Sequence, residues 1–172
     1  MIYQVIMHTP TYVWLLFAFL LYRGISGSQE REVNIPKSLI VPGIFILWGM
    51  YNVFVNFSFP LQAFIVYILF IGLGTFLGYE LYRRKYHFFL KNGVVFRAKN
   101  YLPLVIILIN FIIKYALNIY MYMQSDAIHS LGFNVFYTII SGTTVGLFLG
   151  GILNTNQQKG KLMGSLIKSR IS

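Results

Sequence analysis

The sequence predicts an all-α integral membrane protein. It reads as five transmembrane helices, N-terminus out and C-terminus in, with a short cytoplasmic β-hairpin between helices 3 and 4. Three observations predict this. The 172-residue chain is 57% hydrophobic and only 10% charged, whereas a soluble domain is about one quarter charged. Several apolar runs approach the ~20 residues needed to cross a bilayer core. The basic residues fall between those runs, in alternate connecting segments. The length suits a single membrane domain over residues 1–172 and no second one.

The first helix is expected at about 10–23, "PTYVWLLFAFLLYR". Thr9 fits its N-cap and Pro10 its first helical position. It is short for a full span, so residues 2–8 either lie at the interface or extend it through a proline kink. No cleavable signal is expected, because the N-terminus lacks a basic region and His8-Thr9-Pro10 interrupts the apolar stretch. The remaining helices are expected at about 38–57, 60–82, 102–123 and 132–153.

Charge placement orients the bundle. Arg23, Arg31 and Lys37 flank or fill one link, and Arg83, Arg84, Lys85, Lys91, Arg97 and Lys99 fill another. Lys159, Lys161, Lys168 and Arg170 occupy the tail. The alternate links, "NFSFP" and "QSDAIHSL", carry neither Lys nor Arg. Of the 14 Lys and Arg residues, all but Lys114 agree with an N-out, C-in arrangement. The formal charge of +10 therefore reads as topology signal facing anionic lipid on the cytoplasmic side, not as a nucleic-acid surface. The 83–101 loop, with its six bases, is expected to contact lipid. Within it, "HFFLKNGVVFR" places Asn-Gly between two β-prone runs, the signature of a type I′ hairpin with Lys91 opposite Val94 and Phe89 opposite Phe96.

The helical hairpins also hint at a repeat of 37–82 by 99–153. An offset of 62 aligns Lys37 with Lys99, Asn52 with Lys114 and Asn56 with Asn118. "GTFLG" (74–78) and "GTTVG" (142–146) occupy matching places in the two returning helices. The competing view is that small residues recur in any membrane bundle.

Lys114 is the main candidate for chemistry. Asn110, Lys114 and Asn118 share one helix face by their i, i+4, i+8 spacing. Lys114 falls roughly 18 Å along the helix, at a depth similar to Asn52 and Asn56. A lysine there costs about 2.5–3.5 kcal/mol and usually faces a bundle interior or a wet cavity. Three readings stay open: a lysine discharged by desolvation, one holding a small anionic ligand, and one that snorkels outward. Gly74, Gly78, Gly142, Gly146 and Gly150 repeat every four residues and read as helix-packing faces. His8, Asp126 and His129 form a weak outer metal constellation. Glu80 reads as an ion-pair partner of Arg84. There is no cysteine, which removes disulfides and thiol chemistry, and no nucleophile–base–orienter set is visible.

"HTPTYVWLLFAFLLYRG", "FIIKY" and "SGTTVGLFLGG" together resemble an uncharacterised family of bacterial inner-membrane proteins. His8, Thr9, Pro10, Trp14 and Lys114 match its pattern. The resemblance implies a five-helix bundle in the bacterial cytoplasmic membrane and carries no activity or cofactor. A looser similarity reaches CcdC-like proteins of cytochrome c biogenesis through "YRRKYHFFLKNG", although this chain lacks the cysteines used by thiol-redox partners of that pathway. The favoured expectation is a small transport or permeation unit centred on Lys114 and acting as a homo-oligomer. The alternatives are a non-catalytic interaction or assembly factor and a membrane enzyme acting on lipid or quinone.

Overall fold

The computed structural model describes residues 11–171. His8, Thr9, Pro10 and the segment 2–8 lie outside the described residues. The chain is predominantly helical, with a small three-stranded antiparallel sheet. Helix α1 spans Thr11–Ser28. Helix α2 covers Ile35–Asn56: an opening turn, Ile35–Ser38, then Ile40–Tyr51, then a π-helical end at Asn52–Asn56. Pro60–Lys85 forms α3, Leu102–Met123 forms α4 and Leu131–Ile171 forms α5. A 3-10 turn, Ser125–His129, joins α4 to α5. Among the described residues, α2, α3, α4 and α5 contain stretches long and apolar enough to cross a membrane, and α1 is a shorter apolar helix.

Local chemistry sets the helix ends. Pro60 and Pro103 sit in first turns, where the missing N–H costs nothing. Asn34 caps the opening turn of α2, its Oδ1 accepting from Lys37 N at 3.2 Å. At the far end of α2, Asn52 Nδ2 donates to Trp48 O at 2.9 Å, and the Phe57 N–H reaches back five residues to Asn52 O at 3.1 Å. That is π-helical geometry, which often marks functional positions.

Helices α3 and α5 run parallel in close contact. A Cβ on Gly74 would lie 2.9 Å from Thr143 Cα, and one on Gly78 would lie 2.7 Å from Leu147 Cα. From the other side, a Cβ on Gly142 would lie 2.6 Å from Tyr67 O, one on Gly146 2.6 Å from Thr75 N, and one on Gly150 2.8 Å from Gly78 C. Lipid offers apolar side chains no reason to leave it, so backbone proximity and van der Waals contact hold such a pair together. The α1 and α4 helices run antiparallel, with Phe17 stacked on Phe111 at 4.5 Å and Trp14 beside Tyr115 at 6.4 Å. Phe45 of α2 stacks on Phe148 of α5 at 6.0 Å. Leu20, Phe45, Tyr67, Ile107, Phe111 and Val145 form the core, while Leu61, Ile65, Leu69 and Phe76 line an exposed apolar face of α3.

Strands β2 (Phe88–Lys91) and β3 (Val94–Arg97) form the hairpin, pairing Lys91 with Val94 and Phe89 with Phe96. Asn92 and Gly93 both take positive φ, 52° and 76°, as a type I′ turn requires. A third strand, β1 (Arg31–Glu32), adds to β3 with Arg31 opposite Arg97 and Glu32 opposite Phe96. A two-residue strand has no alternation to read, so the 24–37 link gives no sign of it in sequence.

α2 opens at Ile35 rather than about 38, and three helices run past their expected C-terminal ends. α1 runs to Ser28 rather than 23, since Gly24 and Gly27 do not break it: Ser28 Oγ donates to Gly24 O at 2.7 Å, and Gly24 admits Leu104 at close range. α3 continues through its basic last turn to Lys85. α5 continues to Ile171 rather than 153, because the tail contains no proline and its end of apolarity is not an end of helix. Lys159 Nζ donates to Val33 O at 3.3 Å, tying the extension to the sheet region.

Candidate functional site: a buried polar cluster around Lys114

Lys114 is completely buried, at 0% exposure. Its Nζ has no hydrogen-bond partner within the protein. It faces three aromatic rings instead: Trp48 at 5.2 Å, Phe45 at 5.4 Å and Tyr137 at 5.9 Å. These rings come from α2 and α5, so Lys114 of α4 points into the bundle and does not snorkel. Cation–π contact would replace part of the hydration that a charged amine loses here. The chain has four carboxylates, and none of them forms an ion pair with Lys114 among the described residues. Glu80 binds Arg84 at 3.0 Å and Arg83 at 3.5 Å, and Glu30 lies 3.9 Å from Lys91.

The surrounding polar groups come from three helices. Asn110, one turn before Lys114, is buried with neither side-chain atom bonded. Tyr137 of α5 and Tyr67 of α3 are close enough to interact electrostatically. The Tyr67 hydroxyl approaches Ser141, and the Tyr137 hydroxyl approaches Asn118, both without full hydrogen-bond geometry. Gly49 of α2 makes room for this group: a Cβ there would lie 2.8 Å from Tyr67 Cζ and 3.1 Å from Ser141 Oγ. Lys114 Nζ and both side-chain polar atoms of Asn110 are buried without a partner in the protein, while the Tyr67, Ser141 and Tyr137 hydroxyls are buried with only these imperfect approaches. Each such atom costs about 1–3 kcal/mol if nothing satisfies it. The arrangement suits water or a small polar ligand carrying negative charge.

The other residues singled out from sequence are distributed differently. Asn118 Nδ2 donates to its own helix at Lys114 O, 2.6 Å away. Asn52 and Asn56 bond to each other at 2.9 Å, and no hydrogen bond joins them to Lys114. His129 Nδ1 lies 2.6 Å from Ser58 Oγ in the turn region. Asp126 shares that turn, His8 is outside the described residues, and no group of three metal-ligating side chains occurs among the described ones.

The basic loop is not uniformly lipid-facing. Arg83, Arg84, Lys85, Lys91 and Lys99 are exposed, but Arg97 is buried at 7% exposure. Its Nη1 donates to Tyr86 OH at 3.1 Å, its Nη2 donates to Gly27 O, and its guanidinium lies 4.6 Å from the Tyr86 ring. Alternation along β3 turns Arg97 toward α1, a consequence of strand register that a charge count cannot show.

Tyr67, Tyr137 and Ser141 were not singled out by sequence reasoning. A signal existed on α5: Asn134, Tyr137, Thr138, Ser141 and Thr144 recur at three- and four-residue steps inside an apolar helix, and all five are buried. Tyr67 has no such companions on α3. In comparisons with known proteins, no family model, no curated protein and no solved structure matches the chain.

Proposed function

We propose that this protein is a small transport or permeation unit of the bacterial cytoplasmic membrane, with Lys114 as the cationic centre of a site for a small anion. One observation carries the reading: a fully buried lysine without a carboxylate or hydrogen-bond partner, set among unpaired hydroxyl and amide groups. A lysine needed only for structure would be expected to have its donors satisfied. The positive-inside pattern supports the five-helix arrangement with N-terminus out and C-terminus in, and the resemblance of "HTPTYVWLLFAFLLYRG" and "FIIKY" is the support for a bacterial location. In the possible repeat, Lys114 belongs to the second unit and meets Phe45 and Trp48 of the first, as a site at a repeat interface would. Five helices are few for a carrier, which favours a homo-oligomer.

The assembly-factor alternative would dock a partner on the 83–101 loop or on the glycine face of α5. That face is already covered by α3, which weighs toward transport. Proteoliposomes carrying wild-type protein or Lys114→Met, with chloride and inorganic phosphate as probe anions, test the reading. Anion flux in the wild type and its loss in a folded Lys114→Met protein is the expected result. Equal flux in the two proteins rejects the role given to Lys114.

A further inference from the structure

At the basic end of the bundle, a cavity of about 60 Å³ opens between the sheet and the helix ends. This is several times the ~10–15 Å³ that one water requires. Arg23, Arg31, Lys37 and Arg97 line it together with Tyr82 and Tyr86, and no carboxylate does. The cations come from four separate elements: α1, β1, the opening turn of α2, and β3. Folding therefore gathers cations that lie up to 74 positions apart in sequence, Arg23 and Arg97.

Their existing bonds leave donor capacity unused. Arg97, more than nine-tenths buried, has no partner for Nε, and Arg23 Nε is likewise buried without one. Arg23 Nη2 donates to Lys37 O, which brings the two chain segments together. Burial, then the neighbouring charges of Arg97 and Arg23, lower the pKa of Arg31 below the usual arginine value. Burial also pushes the Tyr86 hydroxyl up to about 12, keeping it protonated and able to donate. The nearest acids in sequence are used elsewhere: Glu30 pairs with Lys91, and Glu32 alternates to the other face of β1 from Arg31. Such a concentration of guanidinium groups without a counter-ion matches the planar, multidentate recognition of phosphate oxygens.

We propose that this pocket binds a phosphate group, presented either as inorganic phosphate or as the phosphomonoester headgroup of a lipid. The site is distinct from Lys114. Phe148 lines the pocket and stacks on Phe45, and Lys114 sits beyond, over the Phe45 ring. The pocket's test can therefore fail while the Lys114 reading stands, and the reverse.

The test uses full-length protein in dodecyl maltoside. Calorimetric titration with inorganic phosphate measures the free anion. Native mass spectrometry with dioleoyl phosphatidic acid, against dioleoyl phosphatidylcholine as a diester control, measures the headgroup. Arg31→Gln is the main variant, because it leaves the Arg97 bonds to Gly27 and Tyr86 in place, and Lys37→Gln is the second. Wild-type protein is expected to bind one of the two phosphate probes, with affinity about tenfold weaker in Arg31→Gln, the effect of one lost charge-assisted hydrogen bond. Phosphate binding identifies the free anion, and selective retention of phosphatidic acid without phosphate binding identifies the lipid. The proposal is overturned if neither probe binds, if both variants bind as wild type does, or if Lys114→Met rather than Arg31→Gln removes binding.

Discussion

Replacing Lys114 with methionine removes a buried amine that has no hydrogen-bond partner in the protein while keeping most of the side chain's length and volume. The folded protein should be as stable as wild type or more so, by about 1–3 kcal/mol, because a buried amine without a hydrogen-bond partner is exchanged for an apolar group. Thermal unfolding in detergent checks this, and a marked fall in stability would show that Lys114 is held by bonds the structure does not contain. Gly49 is the complementary residue. A methyl group at Gly49→Ala would meet Tyr67 and Ser141, so the variant should lose about 1–3 kcal/mol by overpacking. It should also shift the Tyr67 ring, visible as a changed tyrosine fluorescence or ultraviolet absorption spectrum. Lys114 was legible in sequence because a lone cation interrupts an apolar run. Its aromatic neighbours were not, since Phe45, Trp48 and Tyr137 are ordinary residues of membrane helices and only the packing of α2 and α5 brings them to it.

Among the elements, the α3–α5 pair carries the sharpest energetic expectation. Gly146→Val would drive a side chain into the Ile71–Thr75 backbone and should cost at least about 1–3 kcal/mol. Gly72→Ala, within that facing segment of α3 but pointing to open space, should be neutral or stabilising by up to ~1 kcal/mol. Parallel thermal unfolding of both variants checks the contrast, and similar losses in the two would contradict the packing described. The every-fourth-residue glycines were visible in sequence, while the identity of the facing helix was not, because small residues mark close approach without naming a partner. The hairpin register was legible for a different reason: Asn92-Gly93 takes the positive φ values that select a two-residue turn, and the turn fixes every pair after it. Strand β1 and the last 18 residues of α5 (171 − 153) escaped, because neither has a hydrophobic period to report it.

The whole molecule gathers basic side chains at two positions along the bundle away from the exposed loop: Lys114 in the interior, and Arg23, Arg31, Lys37 and Arg97 around the cavity at the basic end. The second was hidden in sequence, because its arginines look like topology signals until the sheet folds them together. The same charges predict sidedness. A single cysteine at Gly160, an open position on the α5 extension, should be labelled by an impermeant maleimide only after the cytoplasmic face is exposed, and labelling from outside intact cells would reverse the assigned topology. The absence of native cysteine also makes possible the most direct test of a hydrated polar site. Ser141→Cys is nearly isosteric and leaves Lys114 intact. In membranes open on both sides, a small water-soluble sulfonate-bearing methanethiosulfonate reagent should modify Cys at 141 while sparing Ile109→Cys on the exposed apolar face of α4. Modification at 141 is the result predicted for a site reached by water and small anions. A thiol at 141 that stays unreacted while Gly160→Cys reacts fully would contradict it, because the cluster around Lys114 would then be dry and closed.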